Sequence, residues 1–261
     1  MERKWIVDTT LRDGEQSPGI VFSIEEKLEI VGLLDKSGVY EIELGIPNIN
    51  IESYEYVQIL KEKSIKSKLS LWSRMNTEDV KKAISYKPDI LHIGVPVSYV
   101  QIYSKLKKNK TWVQKTMANC IELAMEKGIS VTVGLEDASR SDEGFVVGIA
   151  KIFKGMGGNT VRIADTVGVL TPERSGTLVK NIYRETGLDL EFHAHNDLGM
   201  AVANSIEAAK SGAKYIDCTV LGIGERSGNC DFIKFLNACE RIYDFGINKS
   251  EIKKIEKLIS V

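Results

Sequence analysis

The chain has 261 residues, beyond a minimal domain and short of two full ones, and its 43% hydrophobic and 27% charged residues are ordinary for a globular protein that buries its own core. A formal net charge of −1 excludes a global basic field for nucleic acid or an anionic membrane. The four cysteines (Cys120, Cys218, Cys230, Cys239) show no C-x-x-C spacing, and there is no apolar leader or bilayer-length run, so a cytoplasmic protein with reduced thiols is expected.

Short apolar runs alternate with amphipathic segments, without a linker or low-complexity tract, which predicts one domain over 1–261. The strand candidates are WIVDT (5–9), VYEIEL (39–44), LSLWS (69–73), ILHIGV (90–95), SVTVGLE (130–136), TVRIAD (160–165), LEFHAH (190–195) and YIDCTVL (215–221). Several are apolar on both faces, as parallel strands under helices are. After the first, Ser23 and Glu26 form a capping-box start, and Gly38 stops the helix. Thr77 precedes the helical EDVKKAI. Lys105, Lys107, Lys108 and Lys110 read as a solvated loop or helix end, with a landing strip for a phosphorylated cofactor as the alternative. Thr171-Pro172-Glu173 opens a helix to Gly187, Pro taking the first helical position. Leu198 to Lys210 reads as a helix ending at Gly212, and Asp231 begins a last one through about Ile242. Eight such β-then-α units predict an α/β fold, the closed (β/α)8 TIM barrel, which typically takes about 250 residues.

Polar residues collect where these strands end: Arg12-Asp13, Glu43, Arg74, His92, Glu136-Asp137, Asp165-Thr166, His193 and His195, and the loop to Asn229. A barrel assembles its active site at that rim. His193-Ala194-His195 is the sharpest signal, because positions i and i+2 of a strand point to one face. Two converging imidazoles suit a divalent ion better than two structural histidines do. Asp13 and Asn229 are the oxygen ligands within reach, and the mixed set suits Zn²⁺, Mn²⁺ or Mg²⁺ as Lewis acid. Cys218 and Cys230 are the weaker, thiolate alternative, Cys218 reading better as a small buried strand residue.

Thr10-Leu11-Arg12-Asp13-Gly14-Glu15-Gln16, Glu136-Asp137-Ala138-Ser139-Arg140, Ala164-Asp165-Thr166-Val167-Gly168, His193-Ala194-His195-Asn196-Asp197-Leu198-Gly199 and Gly222-Ile223-Gly224-Glu225-Arg226-Ser227-Gly228-Asn229 follow one another along nearly the whole chain. Together they resemble the signatures of the family that includes isopropylmalate synthase, homocitrate synthase, citramalate synthase and hydroxymethylglutaryl-CoA lyase. The resemblance implies metal ligation by Asp13, His193, His195 and Asn229, and acetyl-CoA as co-substrate. It implies that Arg12 stabilises an enolate or polarised carbonyl and that Glu136 is a catalytic acid/base. His92 and Thr166 would line a 2-oxo acid pocket, with Gln16 and Arg74 as polar contacts; Arg74 is equally explained by an ion pair with Glu43.

The Gly222–Asn229 loop is similar to the condensing branch and lacks the cysteine-containing loop of the lyases. Glu43-Leu44-Gly45-Ile46-Pro47 and Leu71-Trp72-Ser73-Arg74-Met75 resemble the nitrogen-fixation homocitrate synthases. That implies 2-oxoglutarate as acceptor and homocitrate and CoA as products; isopropylmalate synthase, citramalate synthase or a barrel lyase are the alternatives. Arg74 and Thr132 depart from the lysine-pathway enzymes, which carry His and Arg there. The family's condensing enzymes continue into C-terminal helical subdomains, from which a neighbouring subunit completes the site. This sequence lacks that region, so the expectation is a homodimer, or a barrel subunit whose second chain supplies it; a non-catalytic barrel is the remaining reading.

Overall fold

A computed structural model describes residues 1–47 and 55–260. Its strands are β1 (Glu2–Arg3), β2 (Trp5–Asp8), β3 (Glu41–Glu43), β4 (Lys68–Arg74), β5 (Ile90–Pro96), β6 (Ser130–Glu136), β7 (Thr160–Asp165), β8 (Asp189–Ala194), β9 (Tyr215–Cys218) and β10 (Tyr243–Asp244). The eight from β2 to β9 pair in sequence order into a closed barrel, and β2 meets β9 in parallel, Trp5 opposite Tyr215 and Asp8 opposite Cys218. The expected (β/α)8 barrel is therefore the fold.

The helices are α1 (Ile24–Ser37), α2 (Glu55–Lys61), α3 (Thr77–Ser85), α4 (Lys110–Met125), α5 (Glu143–Gly155), α6 (Pro172–Thr186), α7 (Ala201–Lys210), α8 (Phe232–Cys239) and α9 (Lys249–Ile259). None is long and apolar enough to cross a membrane among the described residues. The capping box at Ser23 and Glu26 forms, and Gly38 ends α1 in the left-handed region at φ 92°. The core lies between strands and helices. Ile42, Leu91, Ile93, Val133, Ile163 and Phe192 point outward from the barrel wall and are fully buried. Alternate positions of the same strands point inward, and several carry charge.

Some boundaries differ from the sequence reading. The eighth barrel strand stops at Cys218, because Val220–Gly222 turns into a 3₁₀ segment with Leu221 at φ 60°. Asn76, not Thr77, caps α3, accepting from the N–H groups of Glu78 and Asp79. The helix expected from Leu198 starts at Ala201. The helix expected through Ile242 ends at Cys239, and the chain then forms β10 alongside β1 before entering α9. Two-residue strands carry no periodicity to read. The sequence reading, which took the helix from Asp231 as the last, missed α9, although Ile252 and Ile255, its buried face, and its cap Asn248 could have signalled it.

Candidate metal centre and catalytic cavity

Three strands bring the metal-binding side chains together. β9 lies between β2 and β8, so the turn after β2 faces the end of β8. That turn folds tightly, the N–H groups of Arg12, Asp13 and Gly14 all donating to the carbonyl of Thr9. His193 Nε2 and His195 Nε2 stand 3.2 Å apart, and Asp13 Oδ2 lies 3.4 and 3.6 Å from them. Among the described residues these three form the group of acidic, histidine or cysteine side chains able to hold a metal ion, and all three are buried. Cys218 and Cys230 are not in it; they are buried 3.9 Å apart, and burial holds the Cys218 thiol well above its ordinary pKa.

Asn229 sits beside the group, bridged through its backbone to His195. Its amide Nδ2 donates to Asp13 Oδ1 at 2.8 Å and to the Ile223 carbonyl at 3.0 Å, while its Oδ1 is buried without a donor. A buried acceptor left unsatisfied is costly, and a cation would satisfy it. Gly224 makes the room: a Cβ there would stand 2.7 Å from Asp13 Oδ1 and overlap the Asn229 amide. The donor set thus fits a divalent ion.

Electrostatics agree. Burial would raise the Asp13 pKa, but Arg12 and the two imidazoles hold it well below the usual carboxylate range. Burial opposes charging of His193, yet hydrogen bonds to Asp13 and Asp217 push it up to about 9. Burial and the neighbouring His193 charge push His195 down to about 3. A single positive charge is therefore wanted at this point, and a metal ion would replace the proton on His193.

Arg12 Nη1 donates to Asp13 Oδ2 at 2.7 Å, and its Nε to Glu43. Glu43 also receives Arg162 Nη1 at 2.8 Å. Glu43 does not pair with Arg74, whose partner is Asp79 at the start of α3; the Arg74–Glu43 ion pair offered as the alternative reading of Arg74 does not form, because Glu43 faces the barrel interior while the Arg74 side chain is 67% exposed. Gln16 and Arg74 border a cavity of about 920 Å³ that also reaches Asp13, His193 and Glu136. Lys105 lies at its edge, whereas Lys110 is spent over the rings of Tyr99 and Phe145.

Glu136 faces the same cavity with 19% of its side chain exposed, and burial raises its pKa. Thr166 Oγ1 donates to its Oε2 at 3.2 Å and accepts from the Asp137 N–H. His92 Nε2 is 3.9 Å from Glu136 Oε1; the ring is fully buried and neither nitrogen has a partner. Burial first, then Arg162 and Arg12, hold His92 well below its ordinary pKa, so it is a neutral imidazole. Eight of the ten residues singled out in the sequence line this cavity; Asn229 lies beside Asp13 behind it, and His92 is buried behind Glu136 without reaching it. Three others had gone unnoticed: Asp217, which accepts from His193 Nδ1 at 3.0 Å, and the buried Arg162 and Glu191. Their signal was a charged residue flanked by apolar neighbours within a strand run (Arg162 in TVRIAD, Glu191 in LEFHAH, Asp217 in YIDC).

The HMGL-like family profile matches residues 3–259. The chain belongs to the HMGL-like family. A relative named homocitrate synthase subunit alpha, from Clostridium pasteurianum, is 43% identical over 97% of this chain and 98% of its own length. A protein named 2-isopropylmalate synthase 2, from Caldanaerobacter subterraneus, is 37% identical over 98% of this chain but 67% of its own. The crystal structure of HMG-CoA lyase from Brucella melitensis superposes with a TM-score of 0.86 over 100% of both chains at 16% identity, a likeness of fold. Within the HMGL-like family the sequence therefore lies with synthases, while its barrel is shared with the lyases.

Proposed function

We propose that this protein joins the methyl carbon of acetyl-CoA to the ketone of a 2-oxo acid, with 2-oxoglutarate as acceptor and homocitrate and CoA as products. Its membership of the HMGL-like family among synthase relatives makes it a condensing acyltransferase. The observation that carries the finer reading is the convergence of Asp13, His193 and His195 on one point beside Arg12, with Glu136 on the same cavity.

A divalent ion (Zn²⁺, Mn²⁺ or Mg²⁺) held by Asp13, His193, His195 and the Asn229 carbonyl oxygen would supply Lewis acidity toward the ketone of the acceptor. The protein groups do the rest. The Arg12 guanidinium, fixed by Asp13 and Glu43, presents its remaining donors to the oxyanion that develops during carbon–carbon bond formation. Glu136, made more basic by burial, takes the methyl proton, and the Thr166 hydroxyl holds its carboxylate in orientation. Gln16 and Arg74 border the cavity that would take the acceptor, and His92 backs Glu136 from beneath. Water then releases CoA, which makes the reaction one-way.

The name of the clostridial relative, a subunit alpha of the same span, favours an assembly in which a second polypeptide completes the site; self-association as a homodimer is compatible with it. The reading places the enzyme in the cytoplasm, acting on small molecules. Its test is CoA release, followed by thiol trapping, from acetyl-CoA with a panel of 2-oxo acids, with and without added metal and candidate partner. Release should require metal and be greatest with 2-oxoglutarate. Preference for 2-oxoisovalerate or pyruvate would reassign the protein to isopropylmalate or citramalate synthesis, and metal-independent release would reject the site.

A further inference from the structure

Beneath the metal-binding group lies a side chain that the proposed chemistry does not use. Arg162 is 1% exposed, on the inward face of β7, one pleat below Ala164. Its Nη1 donates to Glu43 at 2.8 Å, and its Nε lies 2.5 Å from Glu191 and 3.0 Å from Asp217 Oδ2. Two of these contacts lead upward to the site. The Asp217 oxygen that faces Arg162 is the one that accepts from His193 Nδ1 at 3.0 Å. Glu43 in turn holds Arg12, which holds Asp13. Glu191 also hydrogen-bonds Asp217 but touches none of the candidate metal ligands itself.

We propose that Arg162 is a positioning residue of the metal centre, its single buried guanidinium fixing the His193 ring through Asp217 and the Arg12–Asp13 pair through Glu43. This rests on the metal reading given above. The physical reason is geometric. A carboxylate in a low-dielectric interior rotates toward whatever cation it finds, and only a cation that is itself immobile gives it one orientation. A planar guanidinium gripping acids from β3, β8 and β9 is immobile, and a flexible ammonium is not.

The experiment is titration of the metal-free protein with Co²⁺, reading affinity by calorimetry and ligand geometry by visible absorption. Partners that orient a ligand are commonly worth about 10–100-fold in metal affinity. Asp217→Asn and Arg162→Lys should each lose about that factor and alter the Co²⁺ spectrum. Glu191→Gln, which keeps a hydrogen-bonding side chain of the same shape between Arg162 and Asp217, should stay within about threefold of the parent. Because Arg162 acts in part through Asp217 and in part through Glu43, the Arg162→Lys/Asp217→Asn double variant should lose more than either single but clearly less than the product of both losses. If lysine does not support folding, Arg162→Gln with Glu191→Gln removes an acid along with the guanidinium, and is compared with Glu191→Gln alone; the same 10–100-fold loss is expected, to order of magnitude. Parental Co²⁺ affinity and spectrum in the folded Arg162 variants, or multiplicative losses in the double variant, would overturn the proposal. A parent protein that binds no Co²⁺ would overturn the metal reading and this proposal with it.

Discussion

At the residue scale, the site depends on which of several arginines is held where. Arg12 is fixed by two carboxylates and faces the cavity, whereas Arg74 is tied to Asp79 at the surface. Arg12→Lys should fold and bind metal, because an ammonium still neutralises Asp13, but it cannot present a planar fork to a developing oxyanion. Loss of one such donor commonly costs about 10²–10³ in rate. A kcat/KM comparison at saturating metal checks this, and turnover near the parental value would remove Arg12 from the chemistry. Arg12 was legible because it adjoins Asp13 at a strand end. Arg162 was not, because a charged residue in the middle of the run TVRIAD looks like an exposed position until its strand is placed in a closed barrel.

At the scale of elements, neighbouring strands leave space for one another. Gly134 on β6 stands beside His92 on β5, and a Cβ there would overlap the imidazole and lie 2.8 Å from Glu136 Oε1. Gly94 does the same for Trp72. Gly134→Ala therefore forces two site residues to move at once. Overpacking of this kind costs about 1–3 kcal/mol, and for a chain of this size each kcal/mol lowers Tm by about 2–4 °C. Thermal unfolding together with kcat should fall in parallel; an unchanged Tm would mean that His92 moves freely. The helix starts were readable because caps are local chemistry: Ser23, Thr171 and Asp231 each accept the expected backbone N–H. The β1–β10 pair was unreadable because its two strands are separated by nearly the whole chain.

At the scale of the whole molecule, the barrel interior holds more acid than base. Glu41, Glu43, Glu191 and Asp217 face Arg12 and Arg162 from three strands, β3, β8 and β9. Burial, then the negative charges of Glu43 and Asp217, push Glu41 from 4.5 up to about 7 against the relief from Ser70 and Arg162. The folded chain therefore keeps a proton that the unfolded chain has released between pH 4.5 and about 7. Its contribution opposes folding increasingly as pH rises through that window and is constant above it. Glu41→Gln should leave stability near the parent at about pH 5 and raise it by up to about 3 kcal/mol at about pH 8. Urea unfolding at both pH values checks the sign; an equal change at both would show that Glu41 titrates normally.

The sequence by itself determined the barrel and pointed to its rim, with Asp13, His193 and His195 as candidate metal ligands. Each of these rests on local chemistry: strand periodicity, caps, and the two-residue spacing that points His193 and His195 the same way. Only the tertiary structure decided the pairings among charges, giving Glu43 to Arg12 and Arg162 rather than to Arg74, and His193 to Asp217. The reason is that ionic partners in a closed barrel are chosen across strands far apart in sequence, by which face each residue presents and how deep in the barrel it lies. Periodicity gives the face but not the depth, because the stagger between strands is fixed only when β2 closes on β9.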